Sequence, residues 1–335
     1  MFKIACLGAG YFSQFHRSGW DRIDTAEIVG VADLDVSLAR ATGHPAFPDL
    51  ASMLEACQPD ILDIILPPTA QADAIRTALA YPLRAIICQK PFCLSLDEAE
   101  KIAALAEAKS VPLVIHENFR FQPWYRLIAD QIARGRIGTP LQATFRLRPG
   151  DGQGADAYLA RQPYFQKMER FLVHETLVHW IDTFRFLFGP IQSVYADLRQ
   201  INPVIAGEDA GVVLMDHGGG VRSVIDGNRH LDHAAENTRC TMGEALIEGT
   251  QGTLDLHGDG SVWHRAFGAQ DTSCLLPPDQ SDSFGGDCAM HLQAHVIAAL
   301  AKGRPFENLA RDYLQVIRVE DAIYASARSG HKRSF

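Results

Sequence analysis

The chain opens MFKIACLGAGYFSQFH, and the stretch from Leu7 to His16 limits the possible folds more than any other. Phe2 to Leu7 is an apolar run with a β-branched residue, long enough for one buried strand. Gly8 and Gly10 follow at once, and then a segment that can be helical. Strand, glycines and helix in that order form the context of a dinucleotide-binding turn. Gly8 makes the tight turn and Gly10 lets a pyrophosphate approach the backbone. The phosphates then meet the N–H groups at the helix N-terminus. Ser13 stands where a third glycine is usual, and it is small enough to keep helix and strand close. A second apolar run, AEIVGVADLD from Ala26 to Asp35, sets Asp33 about 20 residues beyond the glycines, the place of the ribose-binding acid. A carboxylate there accepts from both ribose hydroxyls and repels a 2′-phosphate, and no arginine follows it directly. The expected cofactor is NAD rather than NADP.

The rhythm continues through ILDIIL (61–66), RAIIC (84–88) and PLVIHEN (112–118), with helical segments between them; Ser95 is placed to cap the helix that begins SLDEAEK. Near-continuous apolar strands alternating with helices predict an open parallel sheet of the doubly wound α/β class over residues 1–120. After about residue 120 the pattern changes. Helices are expected at QPWYRLIADQIARG and at 174–189, then strands in a row: SVYADLRQ, AGVVLMDH, GVRSVIDG, EALIEGT and GTLDLHG. Residues 121–335 therefore read as a second domain of mixed α and β structure, its C-terminal helices packing back on the body.

Composition narrows the partners. The chain has 335 residues, enough for two ordinary domains, and a net charge of −9, which argues against nucleic acid and anionic membranes. No apolar run is long enough to span a bilayer, and a strand starting at residue 2 leaves no room for a signal peptide. Seven cysteines without a CxxC pair, with Cys6 and Cys88 in strand-like runs, point to a reducing cytoplasm.

Several residues could carry chemistry. Lys90 follows a strand end and precedes Pro91, at the carboxyl edge where open α/β sheets bind ligands. Its ammonium can stabilise negative charge developing on a substrate oxygen. Glu175 and His179 are four apart on an expected helix, so the carboxylate can orient an imidazole suited to act as a base. Asn118 ends the last strand of the first domain and can face cofactor or substrate. The aromatics of HENFRFQPWYR read mainly as packing at the domain junction. The segment 148–165 is long for a loop, and such loops often serve as lids; Asp156, Gln162 and Tyr164 could meet sugar hydroxyls. His174 and His179 are five apart, and neither HLQAH nor HLDH has a partner cluster, so no metal site is expected.

GAGYFS, ADLD, LPPTAQ, CQKP, ENFRFQPWYR, HETLVHWID, EGTQGTL and EDAIYASARSG, in that order, resemble the glucose–fructose oxidoreductase/inositol dehydrogenase/rhizopine catabolism family. The resemblance implies an N-terminal Rossmann domain and a C-terminal α/β domain with a large open, mainly antiparallel sheet that joins homodimers or homotetramers. It implies NAD held by Gly8, Gly10, Tyr11, Phe12, Ser13, Asp33, Pro67, Gln71, Gln89 and Lys90. It puts Lys90, His179 and Glu175 in catalysis, with Asn118, Asp156, Gln162 and Tyr164 toward a sugar or polyol. Three positions depart from the family pattern: Gln89 replaces the acid before the lysine, Gln71 stands where histidine is frequent, and Glu175 replaces aspartate. CQKPF, HENFRFQPWYR, FRLRPGDGQG and RQPYF are most similar to members that oxidise a branched pentose to its lactone. The expected activity is oxidation of a sugar CH–OH, most simply the anomeric one, by hydride transfer to NAD. A polyol dehydrogenase, a redox glycosidase and a non-catalytic sugar–NAD sensor remain open alternatives at this point.

Overall fold

The computed structural model describes residues 1–281 and 283–335. They form two compact units: Met1–Asn118 with Asp287–Ile317, and Phe119–Gly286 with Arg318–Phe335. Where the sequence assigned all of 121–335 to the second domain, the structure returns Asp287–Ile317 to the first.

In the first unit, the described strands β1 (Phe2–Leu7), β2 (Ala26–Ala32), β3 (Ala46–Phe47), β4 (Ile61–Ile64), β5 (Ala85–Gln89) and β6 (Leu113–His116) make one parallel sheet in the order β3-β2-β1-β4-β5-β6. Every residue of β4, β5 and β6 is buried, as covering both faces of a parallel sheet requires. The order reverses between β1 and β4, which opens a crevice at their carboxyl ends. Helix α1 (Ser13–Asp21) leads out of the glycine turn, and α2 (Val36–Ala41) and α3 (Leu50–Cys57) follow β2 and β3. Helix α4 (Pro68–Ala78) starts on a proline, and α5 (Leu96–Ala108) is capped by the Ser95 hydroxyl, which accepts from the Glu98 N–H. Helix α8 (Cys288–Lys302) lies against α1, where Gln293 donates to the His16 carbonyl at 2.9 Å.

The second unit holds α6 (Pro123–Ala133), α7 (Val178–Phe188) and, in its described residues, a sheet of nine strands: β7 (Pro140–Leu147), β8 (Ile191–Arg199), β9 (Ala210–His217), β10 (Arg222–Asn228), β11 (Gly243–Gly249), β12 (Gly252–Leu256), β13 (Val262–Ala266), β14 (Ser273–Leu276) and β15 (Arg333–Ser334). The order is β14-β13-β12-β11-β7-β10-β9-β8-β15, antiparallel except for the β7–β10 pair. Buried residues alternate along β9 to β12, so one face is packed and the other is not. Helix α9 (Ala310–Ser329) gives its first residues to one unit and the rest to the other.

Candidate active site

The glycine turn in the first unit is built as its sequence requires. Gly8 has φ +104°, and a Cβ there would stand 2.4 Å from the Ile65 carbonyl oxygen, so no other residue fits. At Gly10 the opposite holds: an added Cβ would meet nothing within 4 Å. That glycine serves whatever approaches from outside the protein. Asp33 closes the turn, its carboxylate accepting from the Ala9 N–H at 2.7 Å and from the Asp35 N–H at 2.9 Å. Each oxygen keeps a further lone pair for a hydroxyl. The Ser13 side chain donates to the Gly10 carbonyl and accepts from Arg17, both at 2.6 Å. Tyr11 is exposed and Phe12 half-buried, both packing on Phe15; Pro67 is the exposed residue before α4. Asn118 is buried, and its Nδ2 finds no partner among the described residues. An open second glycine, an acid on the turn and an unsatisfied buried amide together fit a dinucleotide.

Lys90 is half-buried immediately after β5. Its loop is braced by two buried glutamines. Gln71 Nε2 reaches the carbonyls of Leu66, Gln89 and Pro91 at 3.0, 2.8 and 3.1 Å, and its Oε1 accepts from the Cys93 N–H at 2.9 Å. The Gln89 amide lies between the Lys90 N–H and His16. His16 pairs with Asp63, a lone carboxylate inside β4 that also accepts from the Trp20 indole. The hydrogen bonds from the imidazole and the indole offset part of the cost of burying this carboxylate. The polar interruption in ILDIIL was the available signal for Asp63; nothing in the sequence pairs it with a histidine 47 positions earlier.

The second unit carries the other expected residues. The segment expected as the start of a helix at 174 is a π-helical turn, Leu172–Leu177, that runs into α7. Its N-terminus is held by Glu208, whose Oε1 accepts from the N–H groups of Phe171 and Val173 and from the Tyr324 hydroxyl. This widened turn, a feature frequent at functional sites, carries Glu175 and delivers His179 to the first turn of α7. The His179 ring lies flat on Phe119, with centroids 3.8 Å apart and planes 5° from parallel. Phe119 therefore orients the imidazole, a role the sequence did not single out. Gln162 donates to the Tyr164 hydroxyl at 3.0 Å. Partial burial and the neighbouring Glu175 carboxylate push Tyr164 up to about 12, so it stays a neutral phenol at ordinary pH. Gln162, Tyr164 and Glu175 thus share one place, while Asp156 sits exposed in a turn.

The loop holding these residues is anchored. Buried Arg229 donates to Asp151 with Nε and Nη2, at 3.2 and 2.9 Å. It also reaches the Tyr158 hydroxyl at 2.7 Å and Thr176 Oγ1 at 2.5 Å. Around it Ala157, Tyr158, Phe165, Phe171 and Ile205 form a small core of their own. Arg229 therefore ties the long loop to the π-turn, next to Glu175. A loop fixed in this way is held in one conformation by its own packing and hydrogen bonds.

The chain is similar to known proteins along most of its length. Residues 2–117 match the sequence model described as oxidoreductase family, NAD-binding Rossmann fold, and residues 125–255 match that of the GFO/IDH/MocA C-terminal domain. A D-apiose dehydrogenase of Paraburkholderia graminis is 34% identical over 98% of this chain and 88% of its own length. One from Rhizobium rhizogenes is 27% identical over 98% and 96%. An oxidoreductase from Agrobacterium radiobacter, solved in complex with NAD+, L-tartaric acid and magnesium, superposes with a TM-score of 0.89 at 26% identity, covering 99% of this chain and 98% of that one.

Proposed function

Because the chain belongs to the GFO/IDH/MocA oxidoreductase family, we propose that it is an NAD-dependent sugar dehydrogenase that oxidises an aldose at its anomeric carbon, D-apiose being the first substrate to try. The observation that carries this reading is the end-to-end similarity to D-apiose dehydrogenases. The glycine turn closed by Asp33 and the imidazole laid on Phe119 support it.

The dinucleotide would be held by Gly8, Gly10, Tyr11, Phe12, Ser13 and Asp33, with Pro67, Gln71, Gln89 and Lys90 along the carboxyl edge. When bound, it supplies the acceptor for the hydride leaving the sugar carbon. The chain's own residues handle the proton. His179 takes it from the sugar hydroxyl as a general base, its ring plane fixed by Phe119. Lys90 donates a hydrogen bond to the same oxygen and stabilises its developing charge. Glu175 favours the protonated imidazole. Gln162 and Tyr164 offer donors and acceptors to the other hydroxyls, with Asn118 Nδ2 as a further buried donor and Asp156 at the exposed rim.

We further propose that the enzyme assembles as a homo-oligomer through the less packed face of the nine-stranded sheet. Tyr195, Leu214, Val224, Thr144 and Leu246 are direct partners across β8, β9, β10, β7 and β11, a row of mainly apolar side chains that are half-buried or exposed. All seven cysteines are free, in keeping with a reducing compartment such as the cytoplasm. Among the described residues no helix is long and apolar enough to cross a membrane.

The test is NADH formation by the purified protein, given NAD or NADP, against aldoses including D-apiose and polyols including myo-inositol. Turnover of one aldose with NAD is expected, and Lys90→Met and His179→Ala should each lower kcat at least about 100-fold while NAD still binds. Preference for a polyol overturns the substrate class, and preference for NADP overturns the role of Asp33.

A further inference from the structure

We propose that Gln89 is a positioning residue for Lys90, acting through a His16 imidazole locked in its Nδ1–H tautomer by Asp63. This deepens the reading of Lys90 given above and rests on it for its functional meaning.

The assignment follows from which groups can only donate. Gln89 Oε1 is 2.7 Å from the Lys90 N–H. A backbone N–H has no acceptor capacity, so the amide oxygen must face it. The amide nitrogen then faces His16 Nε2 at 3.0 Å. An NH2 group also only donates, so Nε2 must accept and carries no proton. The ring's proton is therefore on Nδ1, 2.9 Å from Asp63 Oδ2, and His16 is neutral. Asp63 takes a second hydrogen bond from the Trp20 indole at 2.8 Å. The line runs in one direction, from the Lys90 N–H through Gln89 and His16 to Asp63, with every donor matched. His16 and Asp63 are fully buried and Gln89 is 8% exposed, so a mismatch could not be relieved by water. Gln71 holds the same loop from the other side through the carbonyls of Gln89 and Pro91. Lys90 is thus set between two glutamines that have no charge to lose.

Glutamine at position 89 has a definite consequence. A carboxylate there could still accept from the Lys90 N–H, but its other oxygen would confront the Nε2 lone pair. A second ring proton, which an imidazole takes more readily than a carboxylate, would resolve that clash. Asp63 on β4 is bonded to His16, and His116 on β6 stacks on it with centroids 3.9 Å apart; Cys6 on β1 and Cys88 on β5 feel the Asp63 charge, and Arg17 and Asp21 share the helix of His16. Another carboxylate would bring a second proton into this cluster, and the placement of Lys90 would then depend on pH.

Long-range 1H–15N correlation spectra of the 15N-labelled protein test this, His16 being assigned by its loss in His16→Gln. The expected wild-type result at neutral pH is a proton on Nδ1 and a bare Nε2. A protonated Nε2 overturns the proposal. In Gln89→Glu both ring nitrogens should carry protons at neutral pH. The Lys90 backbone amide should titrate in step with them, and kcat should fall about tenfold on the alkaline side as the extra proton leaves. A Lys90 amide that stays still, or a pH profile like the wild type's, sinks the positioning role. If the Glu variant does not fold, Gln89→Met serves instead: the Lys90 amide proton should move upfield on losing its acceptor, and no movement counts against us. The Lys90 amide signal is independent of turnover. If it follows His16 while Lys90→Met retains full activity, the positioning stands and the catalytic reading of Lys90 is what fails.

Discussion

Arg229 keeps a charge at a position only 2% exposed because Asp151, Tyr158 and Thr176 meet its guanidinium and Phe171 lies beneath it. Burial alone would raise Asp151, but Arg229 and Arg161 outweigh it and hold the carboxyl below its ordinary range. Its folded-state pKa is thus depressed. The pair's stabilisation is full above the unfolded-state value of about 4 and is lost as pH falls through the folded one. Asp151→Asn leaves the arginine buried without its counter-charge and should cost about 3 kcal/mol at neutral pH by urea unfolding. The gap to wild type should narrow in acid; a gap independent of pH would show that the ion pair is not its source. At this scale the sequence was legible where a motif has fixed spacing. Gly8, Gly10, Asp33 and Lys90 announce themselves by their place relative to strands. Arg229 and Asp151, 78 positions apart, or Glu208 and Phe171, 37 apart, do not, because long-range polar pairing leaves no local pattern.

Among the elements, the π-turn Leu172–Leu177 departs most from expectation. Periodicity shows apolar residues on one face but not the number of residues per turn. What holds the start of this turn is external to it: the Glu208 carboxylate takes the first N–H groups that a regular helix start would leave to solvent or to a local cap. Glu208→Ala would leave two buried N–H groups and the Tyr324 hydroxyl without their acceptor. It should destabilise the protein by about 2–3 kcal/mol and lower kcat more than it raises KM, since Glu175 and His179 lie on and just after the turn. Equal loss in a variant that retains full kcat would separate the cap from catalysis. Apart from β3, the strands of the parallel sheet were read to within about three residues because burial on both faces makes them largely apolar. The short strands β3, β13, β14 and β15 were not foreseen, since strands of two to five residues bury too little to leave a pattern.

At the scale of the whole molecule, the row from Tyr195 to Leu246 leads to a prediction about assembly. Leu214→Glu puts a charge in the middle of that row and should yield a smaller species by light scattering, with NAD binding retained. An unchanged mass would show that this face is not the interface. The order of the chain has a consequence of its own. Strand β7 pairs with β10 and β11, which come 75 residues or more after it, and β8 waits for β15 at 333–334. The first unit likewise lacks α8 until residues beyond 287 exist, although α8 carries the Gln293 that satisfies the His16 carbonyl. A chain leaving the ribosome N-terminus first therefore cannot finish one unit before starting the next. Both stay incomplete until residues beyond 287 are made, so a chain stopped before Asp287 should fail to complete either unit.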